Sequence, residues 1–204
     1  MKKTRLKIAI QGKGRLSDSS VELLSSLGLK FQPNGRNSLV SCQNFPLDIL
    51  FIRDDDVPEY VNRGVADFGI VGENVFREKK CSVKIIKKLD FGSCSLIIAV
   101  PKMSGIKSLN ELEDKIIATS YPQILSEYLK ENGVSSSALK LKGSVELAPL
   151  VGLADAVCDI TKTGQTLREH GLITIAKIMD SQAVLIESPN QNSNKSNFYK
   201  LWRS

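Results

Sequence analysis

The segment Ala156-Val157-Cys158-Asp159-Ile160-Thr161-Lys162-Thr163-Gly164-Gln165-Thr166-Leu167 carries an apolar run into a turn rich in hydroxyls and glycine. A turn of this kind, opening a helix, offers backbone N–H groups, threonine hydroxyls and the positive end of the helix dipole, a combination that binds anions. An acid followed by such a turn suits a phosphorylated ribose. Thr161, Thr163, Gly164, Gln165 and Thr166 would cradle the phosphate, with Asp159 near the ribose or its metal. A capped helix after a strand is the bland alternative.

A second glycine-flanked turn, Gln11-Gly12-Lys13-Gly14-Arg15-Leu16-Ser17, also follows an apolar run. As a dinucleotide fingerprint it fails: Ser17 occupies the third glycine position, and no Asp or Glu lies between Glu22 and Asp48 to hold a ribose. Lys13 and Arg15 around Gly14 instead put two cations against phosphate oxygens, the alternative being a solvated basic turn. Arg53 ends the run Leu50-Phe51-Ile52, where its fork can clamp a pyrophosphate. Asp54-Asp55-Asp56 suggests magnesium, but acids at a helix start are better explained by capping and the macrodipole. Glu73 either contacts a base or caps a helix. His170 is the only histidine. With no second imidazole and no paired cysteines, no protein-held metal site and no catalytic triad is expected, and a surface histidine is the default.

The elements that must position these residues are legible as alternating runs. Leu6–Gln11 reads as a buried strand, followed by a helix from about Ser17 to Leu27 that Gly28 can end. Leu47–Arg53 is a second strand, after which Asp56 and Pro58 offer a cap and first-turn proline for a short helix to Asn62. Strands follow at Asp67–Val71, Val83–Leu89, Ser95–Val100, Ile116–Thr119 and Ala138–Leu141, with a helix from about Pro122 to Asn132. This alternation predicts the α/β class with mostly parallel sheets flanked by helices. The polar stretch Ser188–Ser196 precedes an amphipathic piece, Phe198–Trp202, that docks on the body or on a partner.

Bulk properties narrow the partners. The 204 residues can bury a core without disulfide or metal support. Cys42, Cys81, Cys94 and Cys158 are widely spaced and read as reduced and structural. No apolar run reaches the roughly 20 residues of a bilayer span, so a cytoplasmic protein is expected, without membrane partners. The net charge of +6 suits an anionic ligand, but the basic residues are scattered and aromatics are only 6% of the chain. That argues against nucleic acid and leaves phosphorylated small molecules.

Taken together, the segments from about Ile8 to Ile186 closely resemble the ATP phosphoribosyltransferase family. The resemblance is carried by Arg53-Asp54-Asp55-Asp56, Gly69-Ile70-Val71-Gly72-Glu73-Asn74, Ala118-Thr119-Ser120-Tyr121-Pro122, Gly143-Ser144-Val145-Glu146, Gly152-Leu153-Ala154-Asp155 and Thr163-Gly164-Gln165-Thr166-Leu167. It implies two lobes similar to type II periplasmic binding proteins, 1–93 plus 179–204 and 94–178, with the active site in the inter-lobe cleft. It implies attack of N1 of ATP on C1 of phosphoribosyl pyrophosphate, with magnesium bound to the substrate. Asp159 to Thr166 would then hold the phosphoribosyl group. Arg53 and Lys13 would face pyrophosphate or ATP phosphates, with Gly14, Arg15, Arg36 and Glu73 toward the nucleotide. It further implies the short form, which lacks a C-terminal histidine-binding domain and works as a hetero-oligomer of a catalytic dimer with a regulatory subunit similar to histidyl-tRNA synthetase. His170, Lys162 and Gly12 depart from the family pattern. A non-catalytic binding module on the same architecture is the competing reading, and it would need no helix-terminal phosphate loop.

Overall fold

The structure, a computed structural model, describes residues 5–33 and 37–202. The chain divides into two compact units, Met1–Gly92 with Gln182–Ser204, and Ser93–Ser181. Ser93 and residues 179–181, placed in the first lobe from the sequence, belong to the second unit, the latter because a strand continues through Ser181.

In the first unit the order is β1 (Leu6–Gln11), α1 (Ser17–Ser26), β2 (Leu39–Ser41), β3 (Leu47–Ile52), α2 (Val57–Asn62), β4 (Phe68–Gly72), α3 (Glu73–Lys79) and β5 (Lys84–Lys88). The second unit holds β6 (Cys94–Pro101), β7 (Ile116–Thr119), α4 (Pro122–Glu131), β8 (Ser137–Lys140), β9 (Ala156–Thr161), α5 (Gln165–Glu169) and β10 (Leu172–Ser181). The chain then returns to the first unit with β11 (Ala183–Glu187) and α6 (Lys195–Leu201). The first sheet runs β2-β3-β1-β4-β11-β5 and the second β10-β6-β9-β7-β8.

Both sheets are mixed, which corrects the expectation of mostly parallel ones. Among the described residues, β1 pairs in parallel with β3 and β4, and β7 with β8 and β9, while the remaining pairings are antiparallel. Parallel pairing survives among strands joined through helical crossovers. The strands at the passages between units all pair antiparallel: β5 with β11, β11 with β4, and β6 with β10 and β9.

Burial follows the apolar patterns. β1 and β4 are nearly continuous apolar runs, and Ile8, Ile10, Phe68 and Ile70 are fully buried in the first unit's core. Leu96, Ile98, Ile117, Leu125 and Cys158 form the counterpart in the second unit. All four cysteines are free thiols, and burial pushes the Cys42 thiol up to about 11, so it stays protonated and inert near neutral pH.

The polar tail docks on the first unit. Phe198 is fully buried and stacks on Phe68 with ring centroids 4.3 Å apart. Lys195 is buried because its ammonium has acceptors: it donates to the carbonyls of Ser188 at 2.6 Å and Asn190 at 2.7 Å, and lies 3.2 Å from the Glu187 carboxylate. Asp67 accepts from the Asn192 amide and from the Lys7 N–H, each at 2.8 Å, tying the tail to β1. Asn192→Ala removes one of these bonds to a charged acceptor, for an expected loss of about 1–2 kcal/mol. Native-state hydrogen exchange should show that loss first as faster exchange in 188–202.

Candidate functional site

In the first unit, the parallel pairing of β1 with β3 sets Gln11 beside Ile52, so the loops after both strands leave from one sheet edge. The Gly12 N–H donates to the Ile52 carbonyl at 2.8 Å, holding the loops together. They border a cavity of about 880 Å³ whose lining includes Lys13, Arg53 and Asp56, with Val21, Pro33 and Phe51 as apolar wall. Lys13 and Arg53, 40 positions apart in sequence, are therefore brought to one cavity. Asp18 and Glu22 of α1 line it as well, so the cavity is bordered by both cations and carboxylates.

The other first-unit candidates are placed differently. Arg15 is not among the lining residues; its guanidinium donates to the Gly92 carbonyl. Glu73 is buried as the first residue of α3, with its carboxylate 2.8 Å from Arg77 and 3.3 Å from Lys88. It stands in the first turn of α3, whose N-cap is Gly72, and forms an ion-pair node. Asp56 occupies the N-cap position of α2 without a side-chain cap bond, which corrects the capping expectation, whereas Pro58 is in the first turn as expected. Asp54–Asp56 instead form a separate 3-10 turn, in which burial, then the neighbouring Asp55, pushes the Asp54 carboxyl up. Arg36 lies outside the described residues. Among those residues, no group of three or more His, Cys, Asp or Glu side chains converges on a metal position.

In the second unit, β7, β8 and β9 run parallel, so the three loops at their carboxyl ends share an edge. The Ser120 hydroxyl donates to the Leu141 carbonyl at 2.9 Å, linking the loops after β7 and β8. Open α/β sheets bind ligands at this edge. Between β9 and α5, the Thr161 hydroxyl oxygen accepts from the Gly164 N–H at 2.9 Å and that of Thr163 accepts from the Gln165 N–H at 3.4 Å. Each hydroxyl thus stiffens the turn and still has its own proton to donate to an anion. Gly164 sits at φ +71, a left-handed position that closes the turn. Because α5 has only five residues, its dipole is small, and the hydroxyls and amides are the turn's main groups able to meet an anion. Gln165 and Thr166 are exposed at its start, with the Gln165 amide donating to Glu169 at 2.8 Å and the Thr166 carbonyl 2.8 Å from His170 Nδ1.

Asp159 lies two residues before Thr161 on β9. Burial, with a further contribution from the nearby Glu146 carboxylate, pushes its carboxyl up to about 6, against the opposing hydrogen bond from the Ile160 N–H at 2.8 Å. Glu146 belongs to the 3-10 turn Val145–Leu147 after β8, which the strained Ser144 at φ +49 introduces. A half-buried carboxylate beside a hydroxyl-rich turn can take sugar hydroxyls or a developing positive charge. Sequence reasoning passed over Glu146 as a neighbour of Asp159 and Gln11 as a brace of the first loop. Gln11 had one signal, its place immediately before a glycine pair.

A family model described as ATP phosphoribosyltransferase matches residues 53–203. An ATP phosphoribosyltransferase of Cytophaga hutchinsonii is 45% identical over 192 residues, covering 94% of this chain and 67% of the relative. Among solved structures, a chain of the ATP phosphoribosyl transferase (HisG:HisZ) complex from Thermotoga maritima superposes with a TM-score of 0.81 at 32% identity, covering 97% of this chain and 94% of that one. The alkanesulfonate-binding protein SsuA from Xanthomonas axonopodis, at 15% identity and a TM-score of 0.62 over 98% of this chain and 70% of its own, shares the fold of the type II-like periplasmic binding proteins.

Proposed function

The chain belongs to the ATP phosphoribosyltransferase family, whose reaction opens histidine biosynthesis, and we propose that its two loop clusters divide the substrates between them. The carrying observation is that Lys13 and Arg53, from neighbouring parallel strands, meet on one cavity. That cavity takes the polyphosphate. Its mixture of cations and carboxylates suits a magnesium complex better than a bare anion, with the ion arriving on the substrate and keeping phosphate and water ligands. The turn from Thr161 to Thr166 takes the 5′-phosphate of phosphoribosyl pyrophosphate, and Asp159 faces its ribose.

The reaction joins N1 of the adenine to C1 of the ribose as pyrophosphate leaves. N1 attacks through a lone pair and loses no proton, so the chemistry needs no general base. The demands are alignment and stabilisation of charge on the leaving pyrophosphate and on the ribosyl centre, which fixed cations and a carboxylate supply. The likeness to a HisG:HisZ complex chain supports a HisZ-type regulatory partner, the histidyl-tRNA synthetase-like subunit that the sequence resemblance implies, bound to a catalytic dimer. A cytoplasmic location fits these substrates; no helix among the described residues is long and apolar enough to cross a membrane.

Mixing the chain with ATP, phosphoribosyl pyrophosphate and magnesium, with and without a HisZ-type subunit, tests this. Absorbance near the adenine band should rise only when both substrates are present, with the adduct confirmed by mass. A folded chain that forms no adduct in either mixture would favour the binding-module reading.

A further inference from the structure

We propose that Gln11 is a positioning residue that sets Lys13 on the phosphate cavity. Gln11 ends β1 and is only 8% exposed, although its side chain is polar. Its Oε1 accepts the Leu16 N–H at 2.8 Å, and Leu16 itself is buried in the core, so the far end of the loop is pinned by both packing and a hydrogen bond. The amide nitrogen of Gln11 lies 2.5 Å from where a Cβ on Gly14 would sit, and Gly14 is at φ +126. Only a glycine lets the turn close down on this amide. At the near end the Gly12 N–H is held by the Ile52 carbonyl. Between these anchors Lys13, Gly14 and Arg15 are the exposed residues, and Arg15 is committed to the Gly92 carbonyl.

Lys13 is therefore the loop cation that lines the cavity, and Gln11, which does not line it, acts through Lys13. A flexible lysine gains most from such a brace, because its side chain must give up rotamer freedom to meet a phosphate. This role rests on the reading that the cavity binds polyphosphate.

Calorimetric titration of magnesium pyrophosphate into the full chain separates the two claims. Lys13→Ala should weaken binding about tenfold, and Gln11→Met, which keeps the length but loses the acceptor, about fivefold. In the Lys13→Ala background the Gln11→Met change should shrink to less than about twofold, because residues acting as a unit are not additive. A full fivefold effect persisting in that background would overturn the positioning role while leaving the cavity's ligand intact. Unchanged binding by Lys13→Ala would instead overturn the polyphosphate assignment, and the positioning role with it. Gly14→Ala perturbs the same contact from the opposite side and should reproduce the Gln11→Met pattern, Lys13 dependence included; a Lys13-independent loss would count against the proposal.

Discussion

Arg53→Ala is expected to lower turnover by about 10²–10³-fold, the usual effect of removing one preorganised charge donor, while leaving the melting temperature nearly unchanged. Arg53 follows the last residue of β3 in extended conformation, at φ −70 and ψ 142, and is exposed on the cavity. Its backbone is fixed by the strand, and its side chain contributes little to the core. Exposed substitutions of this kind stay within about 0.5 kcal/mol in stability. The loss should fall on the chemical step, because charge on the departing pyrophosphate grows as the bond to C1 breaks. Arg53→Lys should recover only part of the rate, since a point charge cannot reproduce a bidentate fork. Steady-state turnover at saturating substrates, read beside a melting curve, decides the matter. A folded Arg53→Ala variant that turns over at near wild-type rate removes Arg53 from the reaction.

The segments legible in the sequence are those where a buried apolar strand runs into turn residues. Arg53 to Asp56 follows β3, Ala118 to Pro122 spans the end of β7 and the start of α4, and Thr163 to Leu167 joins β9 to α5. Each couples a period or a run to a turn signal within a dozen residues, so local chemistry fixes it. What escaped notice depends on partners far away in sequence. Arg15 is committed to Gly92, 77 residues on, and Glu73 to Lys88, and neither pairing leaves a local trace. The direction of strand pairing was hidden for the same reason. β10 is an edge strand of largely part-exposed residues with register shifts at Thr174/Ala176 and Lys177/Met179, so it lacks a clean alternation. It is separated from β11 by Gln182 alone, with no glycine or proline to mark the passage from one sheet to the other.

Asp159→Asn should impair turnover severely and yet stabilise the fold, but only above a definite pH. The folded carboxyl titrates near 6, against an ordinary value of 3.8. Below the lower value the group is neutral in both folded and unfolded chains, and its burial carries no charge penalty. As pH rises from there toward 6, the unfolded chain ionises first and stability is lost; above the folded value the loss is complete, at about 2–3 kcal/mol for a shift of this size. Asparagine is neutral throughout and retains an oxygen to accept the Ile160 N–H. The variant's advantage should therefore be near zero at pH 3 and below, about 0.5 kcal/mol at pH 4, and about 2–3 kcal/mol above pH 7. Denaturant unfolding of both chains across this range measures it, since titrating groups that do not interact with Asp159 cancel in the difference, and Glu146, which does, adds to the same carboxylate repulsion. The same variant should lose on the order of 10²-fold in turnover, because the carboxylate proposed to face the ribose is gone. A stability difference independent of pH would mean that burial does not burden Asp159. Retained turnover would place the ribose elsewhere. Gain in stability with loss of rate is the pattern expected of a charge held half-buried for its chemistry rather than for the fold.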